Sequence, residues 1–223
     1  MFPDREADAA RLLARCLFLA PAWFALLWLR SGEAAFVFFL ASRGAYVCFV
    51  GLSLRAQDEL QWFTRRWGAE EGFSRFRRAV SLLMTNDAVS IMLVCWLSRG
   101  TLRTGLPDWT VVSLGMALAV FGVAMKSWAV STLGTGSYYW RSFFISPEAS
   151  RYVVAGPYRW FDNPMYTAGY AHAYGLALVL HSVPGLIAAL VAQSLVLLLN
   201  HFAEKPHTER MRLRAAGAAD GGT

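Results

Sequence analysis

Residues 164–203 read PMYTAGYAHAYGLALVLHSVPGLIAALVAQSLVLLLNHFA, and their reading decides the class of fold. Two apolar windows, 164–183 and 185–203, are joined only by Ser-Val-Pro-Gly at 182–185. A helix crossing about 30 Å of hydrocarbon needs about 20 mostly apolar residues. Each window meets that length, and the linker is short enough for a tight helical hairpin. Four more windows lie upstream, near 12–29, 34–54, 79–98 and 108–133. Barrel-type alternation is absent from all six, so helices must satisfy the backbone internally. The expected fold is an all-α, polytopic transmembrane bundle of about six spans, a single domain covering 1–223.

Composition agrees. Of 223 residues, 56% are apolar and 16% charged, with a mean hydropathy of +0.37. Soluble domains carry about 25% charged residues. The 14% aromatic content excludes a disordered chain. Three cysteines are too few for a disulfide scaffold, and Cys16, Cys48 and Cys95 all fall in apolar windows as small hydrophobes. The net charge of +6 points to an anionic membrane surface, not to nucleic acid. Asp4, Glu6 and Asp8 precede the first window and no small-residue cleavage site is evident, so that window reads as a retained span.

The basic residues give an orientation. With a cytoplasmic N-terminus and six spans, 16 Lys and Arg fall on the cytoplasmic side and 3 (Arg30, Arg99, Arg103) on the other. Both termini are therefore expected in the cytoplasm, in a bacterial inner membrane or the endoplasmic reticulum. Segment 55–78 mixes arginines with Trp62, Phe63, Trp67, Phe73 and Phe76. It reads as an interfacial helix with its rings in the headgroup layer, or alternatively as a solvated basic loop.

Chemistry has few places to sit. The connection 134–163 (GTGSYYWRSFFISPEASRYVVAGPYRWFDN) is long, as functional loops often are. Within it Gly156-Pro157-Tyr158 marks a turn, and Asp162-Asn163-Pro164 reads as a capped helix start. At the other end of the hairpin stands Asn200-His201-Phe202-Ala203-Glu204-Lys205-Pro206-His207. A tight hairpin makes the two ends neighbours, so Glu204 can point back into the bundle mouth while Lys205 snorkels. Asn86 and Asp87 fall mid-span, either as a functional site or as a buried pair with Arg43 or Lys126. His172 and His181 read as helix-face or boundary residues, and His201 as a rim residue. The histidine spacings offer no metal ligand pair.

The pattern from Gly122 and Trp128 through Leu133-Gly134, GPYRWFDNPMYTAGY and Glu204 resembles the membrane methyltransferases. These are the phospholipid (phosphatidylethanolamine) N-methyltransferases and the isoprenylcysteine carboxyl methyltransferases. The resemblance covers residues 122–210, and Asn163-Pro164-Met165-Tyr166 with Glu-x-Pro-His is nearer the phospholipid branch. The prenylcysteine branch shows Arg-His-Pro where this chain has Asp162-Asn163-Pro164. Some phospholipid enzymes pair two glutamates where this chain has Glu204-Lys205.

The resemblance implies a methyltransferase core over 108–215, following N-terminal spans and an interfacial helix over 1–107. It also implies a cytoplasmic loop enclosing S-adenosyl-L-methionine and a membrane lipid substrate. Carried over by position, Ser150, Arg151, Tyr152, Val153, Tyr158, Asn163, Pro164, Met165, Tyr166 and Glu204 would line the cofactor. Glu204 suits the ammonium of the methyl donor, N–H groups at the helix start near Pro164 suit its carboxylate, and tyrosine rings suit its cation or adenine. An amine acceptor must lose a proton, for which Glu204 or His207 is the candidate base. A lipophilic thiol or carboxylate as acceptor, and a non-catalytic scaffold or transporter, are the alternatives.

Overall fold

A computed structural model describes residues 29–145 and 155–220 of the chain. The first window, 12–28, lies outside the described residues. Helix α1 (Gly32–Leu60) begins at Ser31, whose side chain accepts from the Ala34 N–H. It ends where Gln61 turns left-handed at φ 52°. The short α2 (Trp62–Trp67) follows, then α3 (Ala69–Leu97) after Gly68 at φ 79°. Helix α4 (Asp108–Leu133) ends at Gly134, where φ is 81°. A four-residue α5 (Thr135–Tyr138) leads to a 3₁₀ turn at Arg141–Phe143. After 3₁₀ turns at Gly156–Arg159 and Ala168–Tyr170 come α6 (Ala171–Val179) and α7 (Val183–Leu199). A π turn at Asn200–Glu204 joins α7 to α8 (Lys205–Asp220). No strand occurs among the described residues.

Four of these helical stretches are long and apolar enough to cross a membrane: Gly32–Leu60, Ala69–Leu97, Asp108–Leu133 and Val183–Met211. Val37, Leu52, Met92, Trp96, Val120 and Leu190 lie exposed on their outer faces, as lipid-facing residues do. The chain is a membrane protein.

The window 164–183 departs from expectation. Helix α6 has nine residues, so it rises only about 14 Å and cannot cross alone. Nor does a helix start at Pro164. The Asn163 carbonyl accepts from the N–H groups of Tyr166 and Thr167, the Pro164 carbonyl from that of Gly169, and α6 begins at Ala171. Irregular backbone at this depth needs partners. Gln193 of α7 supplies them, its Nε2 donating to the carbonyls of Tyr166 (3.0 Å) and Thr167 (3.3 Å). Tyr174 locks that amide by donating to its Oε1 at 2.7 Å.

Small residues allow α6 to lie directly on α4. A Cβ on Gly122 would sit 2.2 Å from the His172 nitrogen, and one on Gly175 would sit 2.4 Å from that of Ala119. Such approach is the usual use of glycine between membrane helices. Helix α7 packs against α1, α3 and α6. At one end of the bundle, the Ser98 and Ser182 hydroxyls lie 2.6 Å apart, and Leu102 donates to the His181 carbonyl at 2.8 Å.

The opposite end is aromatic. Phe63, Phe73 and Phe76 were expected in the headgroup layer but are buried with Trp140, Phe143 and Phe144. The cause is Gln57, itself fully buried. Its Oε1 accepts from the N–H groups of Phe63 and Thr64, and its Nε2 donates to the Phe143 carbonyl. This folds α2 inward, and Gly72 lets α3 close on the Phe63 backbone. Trp62 alone of these rings is strongly exposed. Segment 55–78 is thus two helix ends around a short helix, not one interfacial helix.

Gly122→Leu and Gly175→Leu should each destabilise the detergent-solubilised protein by about 1–3 kcal/mol. Gly44→Ala, where nothing lies within 4 Å of the added Cβ, should be neutral or stabilising by up to about 1 kcal/mol. Thermal melts of the three variants check this.

Candidate active site

Glu204 is placed by the π turn. Five residues in π geometry shift the helix face by one position, a feature frequent at functional sites. The Glu204 carboxylate consequently turns inward and accepts from the Tyr166 hydroxyl at 2.9 Å, with the Trp140 indole beside it. Three segments far apart in sequence meet there: the turns after α5, the irregular stretch before α6 and the end of α7.

Tyr158 lies close enough to feel the same charge. Burial, and then the Glu204 charge, push its phenol up to about 12. Its hydroxyl is buried and has no partner among the described residues, and the same holds for Asn163 Oδ1. Gly156, at φ 56°, brings this turn down onto α4, where an added Cβ would meet Thr132 Oγ1 at 2.6 Å. Pro164 and Met165 are buried beneath it. Ser150, Arg151, Tyr152 and Val153 lie outside the described residues.

His207 goes elsewhere. Its Nδ1 lies 2.8 Å from Asp58 Oδ1 on α1, and its ring stacks on Phe143 with centroids 3.6 Å apart. Arg210 pairs with the other Asp58 oxygen. The expected base is therefore turned toward α1, where Asp58 holds it. His201 is exposed on the rim.

Tyr166 and Trp140 also wall a cavity of about 320 Å³ in the bundle. A volume of that order suits a small-molecule site. Its floor holds a polar cluster that the sequence only partly revealed. Arg43 and Asp87, both nearly fully buried, form an ion pair at 2.7 Å. Arg43 also donates to the Tyr170 hydroxyl at 3.4 Å, and the Lys126 ammonium sits 5.2 Å from the Tyr170 ring centroid. Asn86 donates to Ser42, completing the buried pairing. So Asp87 pairs with Arg43 as one of its two readings allowed, but inside a cavity that touches Tyr166. His172, read as a helix-face residue, lines the same cavity. A depression of about 600 Å³ at the other end of the bundle, by Arg99, Arg103 and His181, has no link to this cluster.

The Tyr158 phenol gives a pH signature. Its folded pKa is raised above the ordinary value of about 10, so the native state keeps the proton longer. That stability contribution is intact below pH 10 and is lost as pH rises toward about 12. Melting curves should fall over that window, and less steeply in Tyr158→Phe, with no difference in slope below pH 10.

Comparison with known proteins bears on this end of the molecule. Residues 110–211 match the phospholipid methyltransferase family. The phosphatidylethanolamine N-methyltransferase of Clavispora lusitaniae is 31% identical over 144 residues, covering 61% of this chain and 17% of that protein. That of Podospora anserina is 30% identical over 178 residues, covering 74% and 18%. The chain thus spans under a fifth of the length of these curated relatives. No solved structure matches it. The matched segment contains nearly all of α4, the irregular stretch before α6, Tyr166 and Glu204, so the similarity to the phospholipid methyltransferase family falls on this end of the molecule.

Proposed function

We propose that the protein transfers a methyl group from S-adenosyl-L-methionine to the amine of a phospholipid headgroup, phosphatidylethanolamine or its mono- and dimethyl forms. The observation that carries this reading is the Tyr166–Glu204 hydrogen bond, which ties a carboxylate to a tyrosine walling the cavity, both residues lying within the matched segment.

The residues present fit the methyl donor. Its ammonium and sulfonium call for a carboxylate and ring faces, and its adenine and ribose call for hydrogen-bonding groups. Glu204 offers the first, Tyr158 and Tyr166 the second, and the unpartnered Tyr158 hydroxyl and Asn163 Oδ1 the third. Ser150, Arg151, Tyr152 and Val153 belong to the same proposed site by position in the family pattern, with Pro164 and Met165 shaping the turn. When bound, the donor supplies an electrophilic methyl group on a sulfonium.

The protein's part is positioning and exclusion of water, as suits a displacement with little covalent demand. Tyr166 holds the Glu204 carboxylate in one orientation, and the Gln193 amide fixes the backbone that carries Tyr166. Of the two bases the sequence offers, Glu204 is the one that reaches the tyrosines. His207, tied to Asp58, acts as a clamp that sets the helix bearing Glu204. We place this end of the bundle in the cytoplasm. Residues 164–182 then count as one discontinuous pass. Which membrane holds the protein follows from its source cell, not from its fold.

Glu204→Gln keeps the shape and removes the charge, and should weaken S-adenosylhomocysteine binding by roughly tenfold or more, the scale of a charged hydrogen bond. The melting temperature should be nearly unchanged. Calorimetry on purified protein in detergent measures the first, and membranes given a labelled methyl donor measure the acceptor. Label in phosphatidylcholine or its partly methylated precursors is expected. Unchanged binding in Glu204→Gln, or label confined to prenylated peptides, would overturn the assignment.

A further inference from the structure

The polar cluster below Tyr166 lies where hydrocarbon would surround the bundle, and charge there is expensive unless it has work to do. Arg43 and Asp87 cancel each other at 2.7 Å, yet each keeps an unpartnered buried atom, Arg43 Nε and Asp87 Oδ1. Asp87 lines the cavity. Lys126 is half-buried on α4, and among the described residues its ammonium rests on the Tyr170 ring without a paired carboxylate.

Lys126 also lines a second hollow. A groove of about 730 Å³ runs along α4 past Val123, Ser127 and Val130 and ends at Tyr138 and His172. Val123, Ser127 and Ser131 are exposed along it, so it opens on the side of the bundle. Lys126, Tyr138 and His172 are common to the groove and the inner cavity, whereas Asp87 and Tyr166 belong to the inner one alone. Passing inward from the side therefore meets an apolar groove, then the shared Lys126 and His172, then an inner cavity walled both by a carboxylate with a free oxygen and by the tyrosine bound to Glu204.

That order matches one ligand chemistry. A phosphoethanolamine headgroup on a diacylglycerol presents an apolar body, then a phosphate anion, then an ammonium two carbons further on. We infer that this is the headgroup-reading site of the acceptor lipid: the groove holds its glycerol and acyl portion, Lys126 with His172 takes the phosphate, and the free Oδ1 of Asp87 takes the amine. The inference rests on the methyl-transfer reading for what happens to that amine, but not for the binding itself. Arg43 pairs with one Asp87 oxygen at depth and leaves the other free in the cavity, which makes it a positioning residue.

The test compares wild type, Lys126→Met and Asp87→Asn, each first shown to melt cooperatively. Native mass spectrometry measures retention of phosphatidylethanolamine, phosphatidic acid and diacylglycerol of matched chains. Wild type should retain both phospholipids over diacylglycerol. Lys126→Met should lose roughly tenfold or more for both phospholipids, and Asp87→Asn should lose a similar factor for phosphatidylethanolamine alone. Equal retention of all three lipids by wild type, or equal losses across lipids in the variants, would overturn the site. A kinetic arm separates this from the parent reading. Lys126→Met should raise KM for phosphatidylethanolamine while leaving methylation of a phosphate-free long-chain amine within about threefold of wild type. A wild type that sorts the lipids as stated but methylates neither acceptor would sink the enzymatic reading and leave the headgroup site standing.

Discussion

The bond from the Tyr166 hydroxyl to Glu204 is the contact on which the rest of the structure depends. It joins the irregular stretch before α6 to the end of the last long helix. The π turn at Asn200–Glu204 rotates the carboxylate inward, and the bent backbone at 163–170 brings the hydroxyl to meet it. The bend leaves backbone groups that lipid cannot satisfy, and neighbours compensate them. Gln193 takes the loose carbonyls of the bend, and the glycines of α4 and α6 provide the close packing that keeps the bend inside protein.

Around this contact the molecule divides its labour. The end with Ser98, Ser182 and His181 is closed by backbone and hydroxyl pairing. The other end is an aromatic lid over a polar interior, with Gln57 pinning the lid and the Asp58–His207–Arg210 group clamping α8 to α1. Exposed apolar side chains face outward along the long helices, while Arg43, Asp87 and Lys126 face a cavity. A bundle that only needed to be stable would gain from replacing such charges with packed apolar residues. Their retention beside Tyr166 is consistent with a site that handles a charged group at membrane depth.

Much of this was legible in the chain. Long apolar windows gave the helices α1, α3, α4 and α7, because a period of that length in lipid has one solution. The meeting of Tyr166 with Glu204 followed from the short link at 182–185, and resemblance to a family supplied the chemistry to expect. Other features were hidden for physical reasons. The window 164–183 is as apolar as a full span, and only the Gln193 amide, distant in sequence, reveals that its first third is irregular. A π turn has no composition signature, so the inward rotation of Glu204 could be hoped for but not read. Phe63, Phe73 and Phe76 alternate with arginines as interfacial residues do, and a single buried glutamine reverses that reading. His207 stood beside Glu204 as a candidate base for the acceptor's proton, whereas its partner, Asp58, lies 149 positions away and no local pattern announces it.

The central claim is that the methyl donor sits between the turn carrying Tyr158 to Tyr166 and the π turn carrying Glu204. Direct ultraviolet crosslinking of labelled S-adenosylmethionine to the purified protein, followed by peptide mapping, tests this most directly. Label on peptides spanning 156–170 and 200–207, competed away by S-adenosylhomocysteine, is the predicted result. Label confined to the 98–108 connection or to α1, with both of those peptides unmarked, would contradict it.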